Sequence, residues 1–128
     1  MATIYVPLDE AVVLLRKNLQ LPPAFAGMES TPEGLRVNVR PMMLAPMMRI
    51  TVRFLRFDRP TAFFAVDGLP NFVRLDQVLP LPEGIAANGG SLTVNTDVLI
   101  RTQLHMTGLS VRDVSWDGRG FRIETAAG

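Results

Sequence analysis

Two stretches, "ITVRFLRFD" from Ile50 to Asp58 and "LSVRDVSWD" from Leu109 to Asp117, constrain the fold more than any other feature of the chain. Aligned, they pair Val52 with Val111, Arg53 with Arg112, Leu55 with Val114, Phe57 with Trp116 and Asp58 with Asp117. A weaker match precedes each. Leu35, Val37 and Asn38 of "PEGLRVNV" lie over Leu92, Val94 and Asn95 of "PEGIAANGGSLTVNT" once a Gly-rich insertion is allowed. The offsets are 59 and 57 residues, near enough to constant to indicate a duplicated supersecondary unit. A chain of 128 residues has the size of one domain, so the reading is a single domain, 1–128, with an internal repeat of about 7–68 and 69–128.

Each half reads as a helix followed by three strands. In the first, Pro7 suits an opening helical turn, Asp9 and Glu10 favour its positive end, and Leu8, Val12, Leu15 and Leu19 share one face. Pro22 and Pro23 stop it. In the second, Pro70 opens a shorter helix over Phe72, Val73 and Leu75 to Leu79, ended by Pro80. Leu35, Val37 and Val39 alternate with polar residues as a half-buried strand does, and Leu92, Val94 and Thr96 continue that pattern more weakly. Residues 96–108 read as a short helix capped by Thr96 or Asp97 and ended at Gly108, although Val98, Ile100, Thr102 and Leu104 equally suit a continued strand. Asp117-Gly118 signals a hairpin turn, and Asp58 to Thr61 takes the same role in the first copy. The fold class expected is therefore α+β: two duplicated helix-plus-three-strand units, with antiparallel sheet and helices packed on one face.

Composition excludes more than it assigns. Cysteine is absent, which removes disulfides, thiolate metal sites and cysteine nucleophiles and fits a reducing compartment. No apolar run approaches the roughly 20 residues that cross a bilayer as a helix. The N-terminus lacks a basic leader before its apolar run, so a cytoplasmic location is expected. Net charge is +1, and no general field attracts nucleic acid. His105 is the sole histidine and stands outside any metal-ligand spacing, so neither metal nor cofactor is expected. Gly89-Gly90 is a turn before a strand and lacks the lysine of a phosphate loop.

The segment "RPMMLAPMMR" carries the functional expectation. Four methionines around Pro41 and Pro46 cannot form a regular helix, and methionine makes adaptable apolar surface. Met42, Met43, Leu44, Met47 and Met48 are the candidate surface for an apolar ligand or partner, with Arg40, Arg49 and Arg53 available to an anionic group; packing into the core is the alternative reading of the same methionines. The function expected is a small, soluble, non-catalytic binding domain that self-associates as a homodimer and holds a lipid-like or other apolar ligand. Two alternatives stand beside it. One is an enzyme built on His105, Asp58 and Asp117. The other is a weak nucleic-acid binder using Arg36, Arg40, Arg49, Arg53 and Arg56, a run from 34 to 57 without a single acid. Asp58 and Asp117 are read first as turn residues, because aspartate opens turns by hydrogen-bonding the backbone.

Overall fold

A computed structural model describes residues 2–18, 25–40, 47–69, 81, 83–103 and 105–127. Its elements run β1 (Ala2–Pro7), α1 (Leu8–Asn18), β2 (Phe25–Thr31), β3 (Gly34–Val39), β4 (Met48–Asp58) and β5 (Thr61–Asp67). There follow β6 (Ile85–Asn88), β7 (Ser91–Asn95), α2 (Thr96–Gln103), β8 (Leu109–Trp116) and β9 (Gly120–Ala127). The described residues are mostly β, with two short helices, which is less helix than expected above. Two strands account for much of that difference. β1, "ATIYVP", precedes the segment expected as helix, and its β-branched and aromatic residues favour a strand. β2, "FAGMEST", lacks the strict alternation that reveals a half-buried strand. The helix expected over 70–80 lies outside the described residues.

The strands form two antiparallel sheets, one ordered β2-β3-β4-β5-β7-β6 and the other β1-β9-β8. Val37 opposite Ile50 and Val39 opposite Met48 put one face of β3 and β4 inward. That face meets Val12 of α1, and Val12, Met28, Val37, Val39, Ile50 and Val66 make one buried cluster. The smaller sheet docks through aromatic rings. Phe121 of β9 sits 5.8 Å from Phe54 and 6.1 Å from Phe64, both edge-on, and 4.9 Å from Trp116. Ring pairs at such separations add roughly 0.5–1.5 kcal/mol each beyond their buried area, so Phe121 is the rivet between the sheets.

Helix α2 spans the same seam. Asn95 caps it, its Oδ1 accepting the Val98 N–H at 3.1 Å, one residue earlier than expected. Thr96 is the first residue of the helix, and it donates both its N–H and its hydroxyl to the carbonyl of Pro60. Asp97 accepts the Val111 N–H of β8 at 3.2 Å. The helix ends at Gln103, and the left-handed residues beyond it are His105 and Gly108. The turns fall where the glycines require them. Gly34 has φ of +147°, and a Cβ there would lie 2.1 Å from the Val52 carbonyl oxygen, so only glycine lets β3 start against β4.

The two halves share an order of parts. Each runs through a hairpin (β2-β3, β6-β7), a connection, and a second hairpin (β4-β5, β8-β9). Their assembly differs. β3 pairs with β4, whereas β7 pairs with β5 and leaves β8-β9 to a separate sheet with β1.

Candidate functional site

The methionine segment begins where β3 ends. Because Val39 faces Met48 on the core side, the neighbouring rung, Asn38 opposite Arg49, lies on the other face. Met48 is half-buried and packs against the core cluster. Met47, one residue before β4, is 48% exposed. Arg40 and Arg49 are both exposed, and neither joins an ion pair among the described residues. The end of the β3-β4 ladder therefore presents the half-exposed Met47 thioether near two exposed arginines that make no ion pair among the described residues. Met42, Met43 and Leu44 lie outside the described residues. Arg53 does not share this corner: it stands four residues up β4, roughly 13 Å away at strand spacing, and bonds Asp67 at 3.1 Å.

The other arginines of the acid-free run have found carboxylates elsewhere in the chain. Arg36 bonds Glu29 of β2 at 3.3 Å, and Arg56 bonds Asp58 at 2.9 Å while lying 4.3 Å above the Phe63 ring. Folding thus neutralises three of five, which linear order conceals.

A second feature lies at the opposite end of β3, where three turns converge. The end of β1 with the start of α1, the β2-β3 turn and the β8-β9 turn enclose an open cleft of about 450 Å³. Tyr5, Pro7 and Asp9 line one side, Ser30 to Pro32 another, and Gly118 and Arg119 the third. The Leu8 N–H donates to the Arg119 carbonyl at 2.9 Å and ties the helix to the third turn. That turn is built on Asp117. Its Oδ1 accepts the N–H groups of Arg119 at 2.8 Å and Gly120 at 2.9 Å, and the Tyr5 hydroxyl donates to Oδ2 at 2.9 Å. The backbone N–H of Arg119, then that of Gly120 and the Tyr5 hydroxyl, hold the Asp117 carboxyl below its ordinary range. Bonding to Asp117 raises the Tyr5 phenol. Each group stabilises the other in the form that cannot exchange a proton near neutrality, so this pair is a lock on the turn. No sequence signal marks it, because the partners stand 112 residues apart.

The residues of the enzymatic alternative are not joined. Asp58 bonds Arg56, Asp117 bonds Tyr5, and no hydrogen bond or ion pair among the described residues links His105 to either carboxylate. Nor do three His, Asp or Glu side chains gather as a metal site among those residues. No helix among them is long and apolar enough to cross a membrane. Compared with known proteins, the chain matches no family model, no curated protein and no solved structure.

Proposed function

We propose that this chain is a non-catalytic binding domain whose β3-β4 end receives an apolar molecule or partner segment bearing an anionic group. The supporting observation is the exposure of Met47 between Arg40 and Arg49, two arginines with no ion pair among the described residues. A flexible thioether adapts to varied apolar surfaces, and a guanidinium pairs with carboxylate or phosphate in a two-pronged geometry. A fatty acid or a similar amphiphile carries both features. Pairing of Arg36, Arg53 and Arg56 with acids weakens the nucleic-acid reading, since the run offers phosphates less free charge than its sequence suggests.

Internal duplication belongs to the same proposal. The recurring order of hairpin, connection and hairpin supports it, and the second copy has given its last hairpin to another sheet.

The test is uptake of a fluorescent fatty acid by wild type, by Met47→Glu and by the pair Arg40→Ser with Arg49→Ser. All three positions are exposed, so circular dichroism should not change. Saturable uptake that each variant weakens at least tenfold is the expected result. Equal uptake by all three, or none by wild type, sinks the reading. Native mass spectrometry of protein purified from cells adds a direct view of any retained ligand.

A further inference from the structure

Four strands end the two sheets, and three of them carry a device that discourages pairing with another chain. β2 is interrupted by a bulge between Phe25 and Gly27, and α1 packs on it. β6 has only 4 residues. β8 bulges between Val111 and Asp113, exposes the charges of Arg112 and Asp113, and is covered by α2, whose Asp97 takes the Val111 N–H. Bulges, charges, shortness and cover are the means by which proteins blunt their sheet edges.

The fourth edge strand has neither bulge nor charge, and α1 contacts it as well as β2. β1 pairs with β9 in an unbroken register from Ala2 opposite Thr125 to Pro7 opposite Gly120. No strand among the described residues pairs with its other side. Ala2 to Tyr5 are exposed, Ile4 at 48% and Tyr5 at 45%. The sequence "ATIYV" is uncharged and strongly β-prone. Tyr5 is held in place by Asp117 and cannot swing across the edge without breaking that bond.

We infer that β1 is a homodimer interface, pairing antiparallel with β1 of a second copy about a two-fold axis at Ile4. Centring on Ile4 sets Ala2 opposite Val6 and Thr3 opposite Tyr5, so each residue from Ala2 to Val6 finds a rung. Pro7 has no N–H to extend the ladder, which stops the pairing there. A second copy suits this edge because an uncharged strand meets itself without like-charge repulsion, and a two-fold contact needs a self-complementary surface. The result is a continuous sheet running β8-β9-β1 into the partner's β1-β9-β8. This surface is separate from the Met47 corner, so either proposal can fail alone.

The absence of cysteine makes the test clean. Ile4→Cys gives each chain a single thiol. Directly opposed residues of an antiparallel pair have Cβ atoms about 4.5–5.5 Å apart, near the span a disulfide bridges. Mild oxidation should convert most of the Ile4→Cys protein to a covalent dimer, while Leu55→Cys, equally exposed on the larger sheet, should stay largely uncrosslinked. In sedimentation, wild type and Met47→Glu should run as dimers and Ile4→Lys, which opposes two cations on the axis, as a monomer. A monomeric wild type overturns the inference. So does a dimer that survives Ile4→Lys, or a thiol at Ile4 that cross-links no better than one at Leu55. Should Ile4→Lys fail to fold, the oxidation result decides alone.

Discussion

The β4-β5 and β8-β9 hairpins come from the most similar stretches of the sequence, yet they do different work. β4-β5 is central to the larger sheet, with β3 on one side and β7 on the other. β8-β9 crosses to the smaller sheet and takes β1 as its neighbour. Their bulges fall at different points, at Leu55 in the first and at Arg112 in the second, which aligns with Arg53 rather than Leu55. Because side chains alternate with a period of two, a displaced bulge turns aligned residues to opposite faces. Leu55 is accordingly 46% exposed, while its counterpart Val114 is 8% exposed. A shared local pattern determines that a hairpin forms; the position of one extra residue determines what it packs against.

The comparison breaks most severely at the ring that joins the two hairpins. Phe121→Ala removes contacts to Phe54, Phe64 and Trp116 together. A loss of about 3–5 kcal/mol is expected, a large share of a typical stability of about 5–15 kcal/mol. Urea unfolding followed by circular dichroism measures it. If the sheets fold as one unit, the transition remains single and moves to lower urea. A second transition would mean that the small sheet melts alone.

The bulge argument sharpens with Val114→Ala and Leu55→Ala, made separately. Val114 is buried, so its truncation should cost about 2 kcal/mol, counting two lost methyl groups and a small cavity. Leu55 faces water, and its truncation should cost less than about 0.5 kcal/mol. Equal costs would mean that the two positions are equivalent after all, and would strengthen the duplication at the expense of the displaced bulge. The two turn aspartates differ in the same sense. Asp58 makes one exposed ion pair with Arg56, so Asp58→Asn should change stability by less than about 1 kcal/mol.

What the sequence revealed and what it concealed follow one physical division. Short-range signals were legible: β3 by its alternation, α1 by its apolar face, both Asp-led turns by their chemistry, and α2 by its polar start, although its cap is Asn95 rather than Thr96 or Asp97. The partners of those elements were not. That β7 joins β5 rather than β8 depends on contacts far apart in the chain, as does the reach of Tyr5 to Asp117. The same holds for the candidate site. Met47 and its arginines were named from composition, yet only folding separates Arg40 and Arg49 from Arg53, whose charge Asp67 already meets.

The smallest expected effect tests the turn lock by its pH dependence. Backbone N–H groups and the Tyr5 hydroxyl hold the Asp117 carboxyl below its ordinary value in the folded chain. A carboxyl depressed on folding stabilises the protein above its unfolded pKa of about 3.9, and that contribution is lost as pH falls through the lower folded value. Asp117→Asn keeps an acceptor for the backbone but has no charge to gain or lose there. The stability difference between wild type and this variant should therefore be constant near neutrality, narrow below about pH 4 and nearly vanish in stronger acid. Tyr5→Phe removes one donor and leaves the bonds from Arg119 and Gly120, so its difference should have the same sign and be smaller. The phenol supplies an independent check at the other end of the scale. Its raised pKa means that wild type loses the Tyr5 contribution as pH rises past about 10, a loss that Tyr5→Phe cannot show. Thermal unfolding across the pH range measures all three proteins. A difference for Asp117→Asn that persists unchanged in strong acid would show that the carboxylate charge plays no part in holding the turn.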